Sequence, residues 1–475
     1  MARRKTIAKT LAAAFLAGPF EPVEAARRGA TVVKPPNRWV KSLAASVVRH
    51  FGPGSRPVRS RVAAFILTHP RFHAACERSF PVLVENIHWP AEMRPADGPP
   101  GTWSLPAITT PSELASKLNL TDGELRWFAD CHSLESKLPE GKLRHYRYRW
   151  VKKPTGAYRL VESPKQRLKA IQKWILHEIL DHVPPHASAH GFRKGCSIKT
   201  FVAPHSGRPG VLRLDLKDFF PSVKRSRVMA IFLALGYPEA VARLLTGLCT
   251  NTTPSSVLKS CPDVESSTKG WAGTFGRVHR FLTRSPSTST STPGPEGAAL
   301  LQLKELFANP HLPQGAPTSP ALANLSAYRL DLRLAALASS LDPAAAYTRY
   351  ADDLVLSGDA SFLRCAERLA VTIGAIALEE GFEVQTRKTR LMRQSTRQKA
   401  GGLVLNAKPN VARPSFDRLK AILHNCVRHG PAGQNRSNHP HFRQHLEGKV
   451  AFVEQIHPQH GQKLRDLFNR IAWPA

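Results

Sequence analysis

Acidic residues are scarce in this chain. Its 475 residues carry 35 Asp and Glu against 68 Lys and Arg, a formal net charge of +33. That bias points to a polyanionic partner, because each phosphate neutralised releases counterions. A basic protein without a ligand is the bland alternative. Long apolar runs are also missing, so no segment reads as a membrane span, and no membrane partner is expected. Paired cysteines are missing as well. The seven cysteines (Cys76, Cys131, Cys196, Cys249, Cys261, Cys365 and Cys426) are odd in number and scattered, with no Cys-x-x-Cys. They support neither a disulfide framework nor a zinc ribbon, and reduced thiols in the cytoplasm are expected. What is present is a hydrophobic content of 42%, enough for real cores.

Residues 1–60 are basic and broken by Pro35-Pro36 and Gly52-Pro53-Gly54. They read as a basic arm, either flexible or a loosely packed lead-in. Arg3, Arg4 and Lys5 before Thr10–Gly18 superficially have the pattern of a secretory leader, but a short amphipathic or disordered arm is preferred. Residues 61–140 read as a helical extension, with a helix near Val62–Leu67 and a Pro/Gly-rich boundary at Pro95–Pro106. Ser112–Ala129 reads as a packed helical hairpin or, alternatively, a helix-turn-helix. Strands and helices alternate from Arg144 to Asn406. The Ser/Thr/Pro/Gly run Ser285–Gly297 marks a flexible surface insertion over about 250–305. After Pro414 three short helices with basic faces are expected.

The most telling stretch is Tyr350-Ala351-Asp352-Asp353. Short apolar runs on either side argue for two strands joined by a tight bend, with a buried helical segment as the other possibility. Two adjacent carboxylates buried without partners would cost several kcal/mol, of order a domain's stability. A divalent metal would offset that. A third carboxylate is found in Asp215, at the end of the apolar strand Val211–Asp215. The three could hold two Mg²⁺ ions roughly 3.5–4 Å apart, one activating a hydroxyl and one stabilising a leaving pyrophosphate.

Asp215 with Phe220, then Pro313-Gln314-Gly315-Ala316-Pro317-Thr318-Ser319-Pro320, then Tyr350–Asp353, resemble the successive polymerase motifs of reverse transcriptases. Arg159, in Lys152-Lys153-Pro154-Thr155-Gly156-Ala157-Tyr158-Arg159, is similar to the fingers arginine that grips the triphosphate. Gly381–Val384 with Lys388-Thr389, and Gly402–Asn406, resemble the next motif and the primer grip. Ala189–Ser197 and Asp218-Phe219-Phe220-Pro221-Ser222 resemble the bacterial, especially the retron, group.

The resemblance implies an α+β right-hand polymerase with a basic, mainly helical N-terminal extension. Fingers would occupy 141–210, a palm with an antiparallel sheet and helices 211–410, and a helical thumb 411–475. It implies RNA-directed DNA synthesis from dNTPs with two Mg²⁺ ions, Mn²⁺ being able to substitute. The implied metal set is Asp215, Leu216, Asp352 and Asp353. The implied nucleotide set is Lys153, Arg159, Phe219, Phe220, Gln314, Gly315 and Lys388. Tyr350, Gly402, Leu403, Asn406 and Arg418 would meet primer and template. Phe220 would exclude a 2′-hydroxyl, whereas a core Phe is its bland reading, as for Phe219. Lys153 and Arg159 would neutralise triphosphate oxygens, or simply be solvated charges. Gly315 would let backbone approach the nucleotide. Lys388 would protonate pyrophosphate, or lie free on the surface.

Two stretches depart from the retron pattern. Phe201-Val202-Ala203-Pro204-His205 keeps only the His of an Asn-Ala-x-x-His element, and Ala400-Gly401-Gly402 replaces Val-Thr-Gly. The implied partners are a structured noncoding RNA as template and primer, an RNA–DNA product and an effector protein, in antiphage defence. The alternatives are a defence enzyme with other priming, a group II intron-like enzyme, and a catalytically idle RNA-binding scaffold.

Overall fold

A computed structural model of the chain describes residues 2–17, 20–34, 38–55, 57, 59–78, 82–83, 103–153, 158–262, 301, 303–341 and 344–473. They divide into two units, residues 1–183 with 224–318, and residues 184–223 with 319–475. Helices and antiparallel sheets give the expected α+β class.

The second unit is built on a four-stranded antiparallel sheet, in the order Ala346–Tyr350, Asp353–Gly358, Gly210–Asp215, Arg390–Arg393. Both faces are covered, and the two central strands bury Val211, Leu212 and Leu214, and Leu354, Val355 and Leu356. Val211 and Val355 pack on one side against Phe201, Val202, Leu403, Leu405 and Ile456. Helices Tyr328–Leu341 and Ala360–Glu379 pack against the sheet and each other. His205 is buried behind the sheet, its ring bridging Thr348 Oγ1 and Ser357 Oγ, each at 2.7 Å. Thr348 Oγ1 donates to the Phe201 carbonyl, so it accepts from His205 Nε2–H, and Nδ1 accepts from Ser357. The surviving His of the altered motif therefore pins two strands of the sheet.

Ala400-Gly401-Gly402-Leu403 is a two-residue hairpin turn: Ala400 pairs with Leu403, and Gly401 and Gly402 have φ of +53° and +81°. Two successive positive φ values suit a pair of glycines. Beyond it, helices Arg413–His429, Phe442–Ile456 and Pro458–Asn469 close around Leu419, Leu423, Leu446, Val450, Leu464 and Phe468.

In the first unit, the expectation of a flexible arm over 1–60 is corrected. Helices Ala2–Leu16, Pro22–Val32, Arg38–Phe51, Arg59–Thr68 and Pro70–Arg78 form a bundle with its own core. Ile7, Leu11 and Phe15 recur at helical spacing and meet Val40, Leu43, Val47 and Ile66 inside it. Arg28 is buried there and donates to the carbonyls of Ala14 and Phe15 near the end of the first helix. The segment resembling a leader is thus core.

Pro111–Lys117 and Asp122–Ala129 are short helices with Leu114, Leu125 and Phe128 buried, packed on helix Glu239–Cys249. This is the packed-hairpin reading. Most of the Pro95–Pro106 boundary lies outside the described residues, as do 263–300 of the expected insertion. Its ends are not loose surface: Val257, Leu258 and Phe307 share a small core with Leu160. Asn251 and Thr253 donate to the buried Glu162 carboxylate at 2.8 and 2.7 Å, and His311 lies 3.0 Å from it. Those buried polar contacts tie the ends down.

Candidate active site

The acidic corner follows from strand register. Asp215 and Asp353 are direct cross-strand partners, and Tyr350 pairs with Asp353, leaving Ala351 and Asp352 as a two-residue turn. Ala351 has φ of +55°, a left-handed conformation costing a non-glycine residue about 1 kcal/mol. The turn is held by its neighbours. Leu216 N–H donates to the Asp352 carbonyl at 2.8 Å, and Gln385 N–H to the Asp215 carbonyl at 2.7 Å. A Cβ on Gly191 would stand 2.7 Å from the Ala351 nitrogen, so only glycine allows that approach.

Each acid has its own electrostatic setting. Asp215 is buried, and Lys388 Nζ lies 2.7 and 2.9 Å from its two oxygens. Arg213 donates from Nε and Nη2 to one Asp353 oxygen at 3.1 and 2.6 Å. The Asp352 carboxyl is held above the usual carboxylate range, first by burial and then by the Asp215 charge, with Asp353 adding to it. Among the described residues, no three His, Cys, Asp or Glu side chains are arranged as a ready metal cage. Yet the donor set fits a hard divalent cation: Asp215 and Asp353 are cross-strand partners, Asp352 is next to them in the turn, and its carboxyl is raised by burial and by the charge of the other two.

Beside the acids, Asp218 turns the chain with φ of +45° into the short Phe219–Ser222 helix. Phe219 is buried against Phe382, with ring centroids 5.6 Å apart. Phe220 is only half-buried and faces Phe192 at 6.1 Å. Tyr350 lies between Phe192 and Phe201, at 6.3 and 5.6 Å. So Asp215, Leu216, Phe219, Phe220, Tyr350, Asp352, Asp353 and Lys388 belong to one neighbourhood.

The other expected residues are placed as follows. Lys153 follows the first strand, Tyr146–Lys152, of a hairpin in the first unit, and Arg159 is exposed on the second, opposite Val151. The Gln314 carbonyl accepts from Glu162 N–H at 2.9 Å, and a Cβ on Gly315 would stand 2.9 Å from the Glu162 carbonyl oxygen. Gly402 and Leu403 form the small hairpin described above. The Asn406 side chain is occupied internally: it donates to Gln394 and Thr396 carbonyls and accepts from Gln398 N–H. Arg418 is exposed on the first helix of the C-terminal bundle.

Sequence reasoning missed Arg349, Asp331 and Asn324, a buried polar cluster beneath the turn. The available signal was an Arg one residue before Tyr350, in a strand whose alternation turns it inward.

A family model described as reverse transcriptase (RNA-dependent DNA polymerase) matches residues 151–405. The chain is 35% identical over 373 residues to the retron Mx65 reverse transcriptase of Myxococcus xanthus, covering 78% of this chain and 74% of that one. The chain belongs to the retron-type reverse transcriptases. Against the retron Mx162 reverse transcriptase of the same organism it is 32% identical, covering 75% of this chain and 66% of that one. Against the retron Ec86 reverse transcriptase of Escherichia coli it is 29% identical, covering 69% and 81%. The enzyme is therefore an RNA-directed DNA polymerase with the α+β right-hand polymerase fold, of a family that uses divalent metal ions, an RNA template and dNTPs. No helix among the described residues is long and apolar enough to cross a membrane.

Proposed function

We propose that this reverse transcriptase copies a structured noncoding RNA into DNA that stays joined to RNA as a branched or linked product, and that it acts in antiphage defence. The observation that carries the polymerase chemistry is the facing of Asp215 and Asp353 across two strands, with Asp352 in the turn just before Asp353 and Phe220 alongside. Asp215, Asp352 and Asp353, with Leu216, are the residues to hold two Mg²⁺ ions, with Mn²⁺ as a substitute. The ions would supply an activated hydroxyl and a stabilised pyrophosphate. Phe220 selects against a 2′-hydroxyl. Arg159, Lys153 and the Gln314-Gly315 loop meet the nucleotide, and Arg418 meets backbone phosphate. The names of the similar retron enzymes, together with the net charge of +33, support an RNA partner.

The test is to purify the enzyme from its host and extract its nucleic acid. DNA of discrete length attached to a short RNA is the expected result, absent in Asp352→Ala, together with loss of phage protection. Protein-linked or heterogeneous DNA would sink the retron product, leaving other priming. Phage protection unchanged in Asp352→Ala would favour the idle scaffold.

A further inference from the structure

Arg349 is the largest fully buried side chain in the described structure, and it lies one residue before Tyr350. Its Nε and Nη2 grip the two Asp331 oxygens at 2.7 and 2.6 Å. Its Nη1 donates both to Asn324 Oδ1 at 3.0 Å and to the Ala351 carbonyl at 3.1 Å. The guanidinium also sits over the Phe219 ring, 5.5 Å from its centroid. Tyr347 OH donates to the same Asp331 carboxylate at 2.7 Å, and Asn324 Nδ2 donates to the Gly191 carbonyl at 2.8 Å. Asp331 and Asn324 are themselves buried.

A buried ion pair is a poor device for stability alone, since apolar side chains of similar volume usually do as well. The geometry here serves another end. The peptide joining Ala351 to Asp352 is the strained step of the turn, and Arg349 holds its oxygen. Leu216 holds the next carbonyl, that of Asp352. Asp352 is thereby fixed from both sides. The same guanidinium backs Phe219, the ring adjoining Phe220.

We propose that Arg349, clamped by Asp331 and Asn324, is a positioning residue that sets both the Asp352 carboxylate and the Phe219-Phe220 wall, so that metal binding and sugar selection depend on one buried side chain. This rests on the reading of Asp352 as a metal ligand and Phe220 as the sugar-selecting ring. Lys cannot reproduce the planar fork and reach Ala351 together, so Arg349→Lys keeps the charge but releases the turn.

The experiment uses the full chain. Mn²⁺ binding is measured by electron paramagnetic resonance without nucleotide, and single-nucleotide incorporation with dNTPs and rNTPs is measured after active-site titration. Arg349→Lys is expected to weaken Mn²⁺ binding at least fivefold and to lower kcat per active site at least tenfold. KM for primer–template should stay unchanged and the dNTP preference should fall at least threefold. A purely structural role would reduce only the titrated active fraction, and that outcome overturns the proposal. If Arg349→Lys does not fold, Asp331→Asn, which leaves the guanidinium its bonds to Asn324 and Ala351, carries the test with the same readouts. Asp352→Asn and Phe220→Ala are run alongside. If they leave Mn²⁺ binding and sugar selection at wild-type levels, the underlying reading of the site fails. If they act as read and the Arg349 and Asp331 variants do not, the positioning role alone fails.

Discussion

Replacing Gly191 by Ala tests the proposed role of the Ala351-Asp352 turn with a single methyl group. The added carbon would stand 2.7 Å from the Ala351 nitrogen, 3.3 Å from the Tyr350 carbonyl carbon and 3.4 Å from the Tyr350 Cα. All three are backbone atoms, so no side chain can rotate away. Restoring ordinary contact requires the two segments to part by roughly 0.7 Å. Gly191 cannot simply withdraw, because its carbonyl is held by Asn324 Nδ2 and His190 N–H is bonded to the Arg349 carbonyl. Over-packing of this kind costs about 1–3 kcal/mol. The larger effect is on chemistry, since a displacement approaching 1 Å at a reacting group costs on the order of a hundredfold in rate. Gly191→Ala is therefore expected to melt a few degrees low and to lose about a hundredfold in kcat for single-nucleotide incorporation. Gly374→Ala is the control: it lies inside helix Ala360–Glu379 with nothing within 4 Å of the new carbon, and should be neutral or stabilising by up to about 1 kcal/mol. A Gly191→Ala enzyme within threefold of wild-type kcat would refute the reasoning that the turn rests against this glycine.

Phe220→Ala should raise rNTP incorporation relative to dNTP about tenfold or more while leaving primer–template binding intact; competition assays with matched nucleotides check it, and unchanged selectivity would return Phe220 to an ordinary wall residue. His205 gives a pH signature: burial first, then the neighbouring His190 and Arg208 charges, push its imidazole down from 6.5 to about 3. A lowered folded value means its contribution is complete above 6.5 and is lost as pH falls towards 3. Between pH 7 and 4 the loss is roughly 3 kcal/mol in urea denaturation of the full chain, and should be absent from His205→Gln. An equal pH slope in both proteins would exclude that assignment.

Most of the acidic corner was legible because its parts are local. An apolar run ending in Asp, and a second run starting from an Asp pair, predict strand ends, and facing strand ends bring acids together. What stayed hidden depends on distant partners. Arg349 looks like a surface charge until Asp331, 18 residues earlier on a neighbouring helix, is placed beneath it. Glu162 and His311 are 149 residues apart, so nothing near either one announces a buried pair. In the N-terminal bundle the obstacle was different. Its helices are short and interrupted by Pro and Gly, so the basic residues dominate the reading, while the apolar positions that make the core come from five separate segments.

The surplus of positive charge explains how the acidic corner can be stable at all. Asp215 has Lys388 and Asp353 has Arg213, each within hydrogen-bonding distance. Asp352, the residue in the turn, forms no ion pair among the described residues, and its carboxyl is the one pushed upward. A protein with about twice as many basic as acidic side chains has no shortage of cations to place there. Burial of a carboxylate next to two others is costly by several kcal/mol. A fold that neutralises two of three acids and leaves the third, in a strained turn fixed by Arg349 and Leu216, concentrates the demand for positive charge at one point. Because Lys388 lies on both oxygens of Asp215, a divalent ion at the corner has to compete with its ammonium for that carboxylate. The same lysine thus offsets the Asp215 charge, and on the proposed reading a metal would have to displace it.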